Sequence, residues 1–253
     1  AVAIYNCASP PYHRWTRDWP ALAASVNTAA EATGAVLVTL SNLYGYGPVD
    51  GEMTEDLPLA ATGPKGRVRA SVWRQTLDLH QEGRLRAVEV RASDFFGPGV
   101  TDGGHLATQV VPRLLRGRTA RVLGDPDVPH SWPYLPDVAR AMVRVAEEES
   151  AWGRAWHVPT GAPMSARAMV ERMARRAEVP AVRVRRLPPA LLGAVSLVSP
   201  LLRELREVRY QFDRPFVVDS SAFTERFGEQ PTPLEAQIDD TVDWWRQRVV
   251  TVR

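Results

Sequence analysis

The chain has 253 residues, 45% of them hydrophobic and 24% charged, enough for one large globular domain or two small ones. Its formal net charge is +2 with acids and bases interspersed, so no basic face for nucleic acid is expected. The single cysteine, Cys7, excludes an internal disulfide framework and a Cys-based zinc site, and it fits a reducing, cytoplasmic setting.

In chain order, "AVAIYNCA" (1–8) is a short apolar run and reads as a buried strand. The start has no basic region followed by a long apolar core, so it does not read as a signal peptide. "PALAASVNTAAEATG" (20–34) is Ala-rich with Gly34 at its end, which predicts a helix with a C-terminal stop. "AVLVTLS" (35–41) predicts a second buried strand. Residues 42–64 are rich in Gly, Pro and Asp and read as a loop, and a loop that long in a compact domain is usually functional. "KGRVRASVWRQTLDLHQEG" (65–83) predicts a helix with Val68, Val72, Leu77 and Leu79 on its apolar side, and "LRAVEVRAS" (85–93) a third strand. Strand, helix, strand, loop, helix, strand is the pattern of an α/β fold, with 35–41 and 85–91 as neighbouring parallel strands.

The second half reads as mixed. Residues 103–117 predict a helix; 120–124 and 131–136 are short extended pieces; 137–150 is an amphipathic helix with Asp137 as N-cap. Residues 155–161 read as strand and turn, 165–178 as a helix capped by Ser165, and 232–250 as a closing helix capped by Thr232. The apolar stretch 187–202 is broken by Pro188, Pro189 and Pro200 and falls short of the ~20 residues of a membrane span, so it reads as a buried helix or pocket wall. No G-x-G-x-x-G occurs, and "GYG" (45–47) runs into Pro48, so no glycine loop is placed to cradle a pyrophosphate. No metal-ligand spacing such as H-E-x-x-H occurs either.

The order of motifs resembles the extended, atypical short-chain dehydrogenases/reductases, the NAD-dependent epimerase/dehydratase family. "AIYNCA" resembles that family's fourth strand, "VLVTLSNLYGYGP" its fifth with Ser-Ser and Val-Tyr-Gly, and "VRASDFFGPG" its sixth-strand signature Arg-Tyr-x-Asn-x-Tyr-Gly-Pro. "VLGDPDVPHSWPYLPDVARAMV" and "FVVDSSAFTERFGEQPTPLEAQIDDTVDWWR" resemble its later Gly-Asp…Asp-Val-Ala segment and its C-terminal ending.

This resemblance implies a Rossmann-like parallel sheet truncated at its N-terminus. Roughly sixty residues, two βαβ units of ~30 each, would precede Ala1 in the family and carry the glycine loop. The chain is then a piece of a longer protein or has lost the first half of the fold, and the lack of an initiator Met favours the former. Residues 1–98 would be the later part of the nucleotide-binding domain and 99–253 mainly a substrate region, with 131–160 returning to the sheet.

The resemblance also implies site residues. The family uses a Ser or Thr, a Tyr, and a Lys four residues after the Tyr as a general acid–base unit. Asn42 falls on the Ser position with Ser41 before it, Lys65 on the Tyr position and Arg69 on the Lys position. Lys65 is the only lysine of the chain. Arg69 stays charged and could hold a ribose hydroxyl but not relay a proton. Tyr44 and Tyr46 are alternative acids. Ala8 and Arg69 take cofactor-binding positions, and Ser41, Tyr46, Asp94, His130 and Tyr134 substrate-binding ones. The implied cofactor is NAD or NADP, with binding by these 253 residues expected to be poor. The implied partner is a small-molecule substrate, and a homodimer is compatible with the family. Two functions remain open. One is an epimerase or oxidoreductase acting on an alcohol or ketone carbon of a sugar nucleotide or more apolar metabolite. The other is a weak relative that binds a metabolite or partner chain without turnover.

Overall fold

The computed structural model describes residues 1–101, 104–188, 204 and 207–251. Most of the apolar stretch 187–202 therefore lies outside the described residues. Four parallel strands form the main sheet in the order β1 (Ala3–Asn6), β2 (Val36–Ser41), β4 (Arg86–Arg91) and β7 (Ala155–His157). The expected pairing of 35–41 with 85–91 is present, with Val36 opposite Arg86 and Ser41 opposite Arg91. A further two-residue strand, β3 (Glu52–Met53), lies in the long loop and pairs with Val217–Val218, while β5 (Ala120–Val122) and β6 (Pro129–His130) lie between β4 and β7 in the chain, outside the main sheet.

Side-chain alternation on the strands assigns the two faces. Val36, Val38, Val88 and Val90 pack with Val138, Met142 and Val145 of α4 (Leu135–Glu147). Leu37 and Ala87 face the other way, against Ala30 of α1 (Trp15–Thr33) and the side of α2 (Pro64–Gln81) carrying Leu79. Helices thus cover both faces, which suits strands that read as continuous apolar runs. A second core joins 106–114, the strand Ala120–Val122, Trp132, the helix Ala166–Arg176 and Ile238, Val242 and Trp245 of the closing helix Leu234–Thr251.

Several local expectations are corrected. Helix α1 begins at Trp15, not Pro20: Pro20 sits inside it, and the two turns around it are held by Trp15 and Trp19 packing on Ala23 and Val72. The helix expected over 103–117 is only Val111–Leu115, because 104–110 winds in tight turns closed by Ala107 N–H to Gly104 O and Val110 N–H to Ala107 O. Pro112, with no N–H to give, fits the first turn. Asp137 is not a cap: α4 starts at Leu135, and the Asp137 carboxylate accepts from Thr232 N (2.8 Å) and Oγ1 (2.6 Å) and pairs with Arg140. Thr232 is spent on that contact and lies ahead of the closing helix without capping it. Ser165 does cap, accepting from Ala168 N at 3.2 Å. Among the described residues no helix is long and apolar enough to cross a membrane, and no three His, Cys, Asp or Glu side chains gather as metal ligands.

Candidate functional site

The C-terminal ends of β1, β2 and β4 open side by side into a cleft of about 340 Å³. In open parallel sheets this is where ligands bind. Cys7 and Ala8 leave β1, Ser41 and Asn42 end β2, and Ser93 and Asp94 follow β4; all line the cleft. The opposite wall is aromatic. Tyr12, Trp15 and Tyr44 stand together, with Tyr12 to Trp15 at 4.8 Å and Trp15 to Tyr44 at 5.8 Å between ring centres. The Tyr12 hydroxyl donates to that of Tyr44 at 3.4 Å. Burial, reinforced by the Asp94 charge, pushes the Tyr44 phenol up to about 12. Burial likewise drives the Tyr12 phenol upward. Both phenols are therefore neutral hydrogen-bond donors near neutral pH.

Arg69 lies one turn into α2 and is only 4% exposed. Its Nη2 donates to Ser41 Oγ (2.6 Å) and Leu40 O (3.2 Å), and its guanidinium stacks 4.1 Å above the Trp19 ring. Burial lowers its pKa, with Glu89 opposing. Arg69 Nε, Arg69 Nη1 and Trp19 Nε1 are buried donors without partners. Asn42 caps the turn after β2, its Oδ1 accepting from Tyr44 N at 3.1 Å.

Asp94 stands on the far side of the cleft, where its Oδ2 lies 3.0 Å from His130 Nε2. Burial works to raise the Asp94 carboxyl, but the contact with His130 and the nearby His105 outweigh it and hold the carboxyl below its ordinary value. His105 is itself pulled from 6.5 to about 4 by burial, which Asp94 only partly offsets. His105 stacks on Phe212 at 4.6 Å, and the His130 ring lies tilted against Trp132 at 4.2 Å.

Of the residues expected from the sequence, the cleft brings together Ala8, Ser41, Asn42, Arg69 and Asp94, with His130 behind Asp94. Lys65 is elsewhere. It is 3% exposed, its Nζ pairs with Glu204 and lies 3.6 Å from Glu207, and Glu207 also accepts from its backbone N–H at 2.8 Å. Tyr46 is likewise not a lining residue: its hydroxyl sits between His157 Nε2 (2.8 Å) and Arg91 Nη1 (2.7 Å). The Tyr134 hydroxyl donates to Asp240 at 2.7 Å. Sequence reasoning passed over Tyr12, Trp15, Trp19 and Gln211, which all line the cleft. The signal for the first three was "PPYHRWTRDW", an aromatic cluster directly after a strand end.

A sequence model of the NAD dependent epimerase/dehydratase family matches residues 3–158. The chain belongs to that family. Solved structures of similar fold include dTDP-glucose 4,6-dehydratase from Bacillus anthracis in complex with NAD. That protein is 17% identical, with a TM-score of 0.76 over 98% of this chain and 73% of the other. RMD from Pseudomonas aeruginosa complexed with NADPH is 18% identical (TM-score 0.75, 98% and 82% covered). UDP-glucuronic acid 4-epimerase from Bacillus cereus in complex with NAD is 15% identical (TM-score 0.74, 98% and 75% covered). No curated protein matches the chain. At these identities the likeness is one of fold.

Whether the family's cofactor suits this cleft turns on the orphaned donors. Three unpartnered nitrogens on two lining residues call for acceptor oxygens, and the hydroxyls of a nicotinamide ribose supply such oxygens. The nicotinamide-ribose end therefore fits the residues present.

Proposed function

We propose that this chain forms the nicotinamide and substrate end of an NAD(P)-dependent oxidoreductase of the epimerase/dehydratase type. It acts on an alcohol or ketone carbon of a sugar nucleotide or a more apolar metabolite. The observation that carries this reading is the set of buried donors, Arg69 Nε and Nη1 and Trp19 Nε1, left without acceptors on two residues that line the cleft. Each buried donor left unmade costs about 1–3 kcal/mol, so an acceptor gains wherever a turn of these side chains toward the cleft lets it meet one.

In this reading Arg69 and Trp19 hold a ribose, with Ala8 beside them at the end of β1. The cofactor, when bound, takes or returns a hydride. Tyr44 and Tyr12 donate hydrogen bonds to a substrate oxygen, and Asn42, whose Oδ1 is occupied, offers its amide N–H₂. Asp94 accepts from a substrate hydroxyl. The names of the solved relatives point to a nucleotide-linked sugar as the first substrates to try. The reading places the chain in the cytoplasm, with a homodimer as the assembly to look for.

Calorimetric titration with NADH tests the cofactor. Binding is expected to be weak, because the donors serve one ribose and the sequence has no glycine cradle for a pyrophosphate. Micromolar affinity would overturn that expectation. NADH formation from UDP-glucose or dTDP-glucose with NAD tests the reaction.

A second reading, a family relative that binds a metabolite or partner chain without turnover, has one observation in its favour. The residue on the position of the family's tyrosine, Lys65, is drawn away into Glu204 and Glu207. Metabolite binding with no hydride transfer would decide for it.

A further inference from the structure

Two buried histidines are anchored alike and differ in what they face. His157 Nδ1 donates to Asp219 O at 2.8 Å, so its Nε2 is free to accept. It meets the Tyr46 hydroxyl at 2.8 Å, and the Tyr46 oxygen in turn accepts from Arg91 Nη1 at 2.7 Å. Every lone pair there faces a proton, and the ring is complete with one. His130 Nδ1 faces Gln211 O at 3.3 Å. A carbonyl can only accept, so that nitrogen carries a proton. Its Nε2, however, faces no hydroxyl: it lies 3.0 Å from Asp94 Oδ2. Neither atom has an aligned hydrogen-bond partner, and both are buried. A bare imidazole nitrogen and a bare carboxylate oxygen at that distance would set lone pair against lone pair in a site of low dielectric. One proton between them removes the conflict.

We propose that Asp94 and His130 hold one shared proton at the wall of the cleft, and that this pair is the proton-exchange group of the site. The reaction it serves rests on the oxidoreductase reading; the shared proton does not. The surroundings suit the task. Trp132 at 4.2 Å and Phe216 at 5.3 Å flank the His130 ring, leaving its side chain 4% exposed, while Asp94 keeps 17% and lines the cleft. The other titratable groups that act on Asp94 are His105 from the turn ahead of Val111, and Tyr44 and Tyr12 across the cleft. Among the described residues no Arg or Lys pairs with Asp94, so His130 is its charge partner.

The step assigned to the pair is a proton transfer alone. The Nε2–H bond of His130 breaks, its electrons staying on the imidazole. That proton moves to the Asp94 carboxylate, which passes a proton to an alkoxide oxygen of the substrate, and the pair recovers its proton from water. In the oxidising direction the pair first gives its proton to water, and Asp94 then takes the proton of a substrate hydroxyl and hands it to His130 Nε2. No lysine or phenol is needed at the position Lys65 occupies.

NMR of the protein carrying ¹⁵N-histidine tests this without any turnover. The expected result is a downfield proton bonded to His130 Nε2, lost in Asp94→Asn and kept in Tyr46→Phe, which alters only the surroundings of His157. Thermal melts confirm that each variant is folded, and His130→Gln, which should also lose the signal, stands in if Asp94→Asn is not. A parent spectrum in which His130 Nε2 is bare, as expected for His157, overturns the proposal. With NAD and UDP-glucose as probes, Asp94→Asn should lower kcat about 10²- to 10⁴-fold at similar KM. Unchanged kcat in that variant also overturns it. A parent that carries the shared proton yet turns over no sugar nucleotide speaks for the pair and against the oxidoreductase reading.

Discussion

Arg69 donates to Ser41 Oγ over 2.6 Å and so ties helix α2 to the tip of β2 at the mouth of the cleft. The guanidinium does three things at once: it bonds Ser41, bonds Leu40 O and stacks on Trp19. An ammonium cannot reproduce that planar arrangement. Arg69→Lys is therefore expected to cost about 1–3 kcal/mol of stability in denaturant melts. It should also weaken NADH binding in the same titration used for the parent; equal affinity would remove Arg69 from the ribose site.

Lys65→Met should lower stability and leave hydride transfer in place, although the Lys65 ammonium, 4.9 Å above the Tyr12 ring, is lost from behind the aromatic wall. The lysine is buried, but its carboxylate partners keep 32% and 20% exposure and can return to water. The expected loss is about 1–3 kcal/mol, below the 3–5 seen when a fully buried pair is broken. If Lys65→Met instead abolishes hydride transfer in a stably folded chain, Lys65 acts in the chemistry after all.

Stability should fall as the pH drops from about 6.5 toward 4. Burial holds His105 and His157 neutral in the folded chain, His105 down to about 4. Between those limits these two histidines bind protons in the unfolded chain and not in the folded one, so their contribution to stability is full above 6.5 and declines below it. The slope is about 1.4 kcal/mol per pH unit for each proton. Asp94, held below its ordinary 3.8, contributes only to losses at still lower pH. Melts across the window should show the decline, and His105→Phe, which keeps the stack on Phe212, should flatten it.

Gly66→Ala should destabilise the chain and disturb the cleft wall. A Cβ there would collide with the Ala61 side chain and with the carbonyl of Tyr44, and a backbone carbonyl cannot move aside cheaply. The expected cost is about 1–3 kcal/mol. A melt equal to that of the parent would mean that the loop shifts freely.

The sheet was legible in the sequence because runs such as 35–41 are apolar over Ala35–Val38 and again at Leu40, with no alternation to a polar face, as a strand covered on both faces requires. The family resemblance pointed to Ala8, Ser41, Asn42 and Asp94, and these follow or close the strand ends at the cleft. The start of α1 was hidden because Pro20 reads as a helix boundary, while tryptophan packing that no local pattern reveals carries the helix through it. The helix caps Asp137 and Thr232 were misread for a related reason: they bond each other across 95 positions, and local capping rules see neither partner. The aromatic wall comes from the short turns Tyr12–Arg14 and Tyr44–Tyr46 and from the first residue of α1, and Gln211 from a four-residue helix, all too short or too near a boundary to show a period in sequence. The burial of Lys65 depends on Glu204 and Glu207, which lie 139 and 142 positions away.

The long loop 42–63 is fastened to the rest of the fold at Tyr46, Met53 and Glu55. Tyr46 is clamped by Arg91, itself held by Glu89 at 2.7 Å, and Glu55 accepts the backbone N–H of His157 at 2.9 Å, while Met53 O accepts from Asp219 N. Arg91 and His157 sit at the ends of adjacent strands β4 and β7. The loop thus cannot open without breaking these interior hydrogen bonds. In hydrogen exchange its bonded amides should be as slow as those of the strands, and the loop and sheet should be lost together as a single cooperative unit.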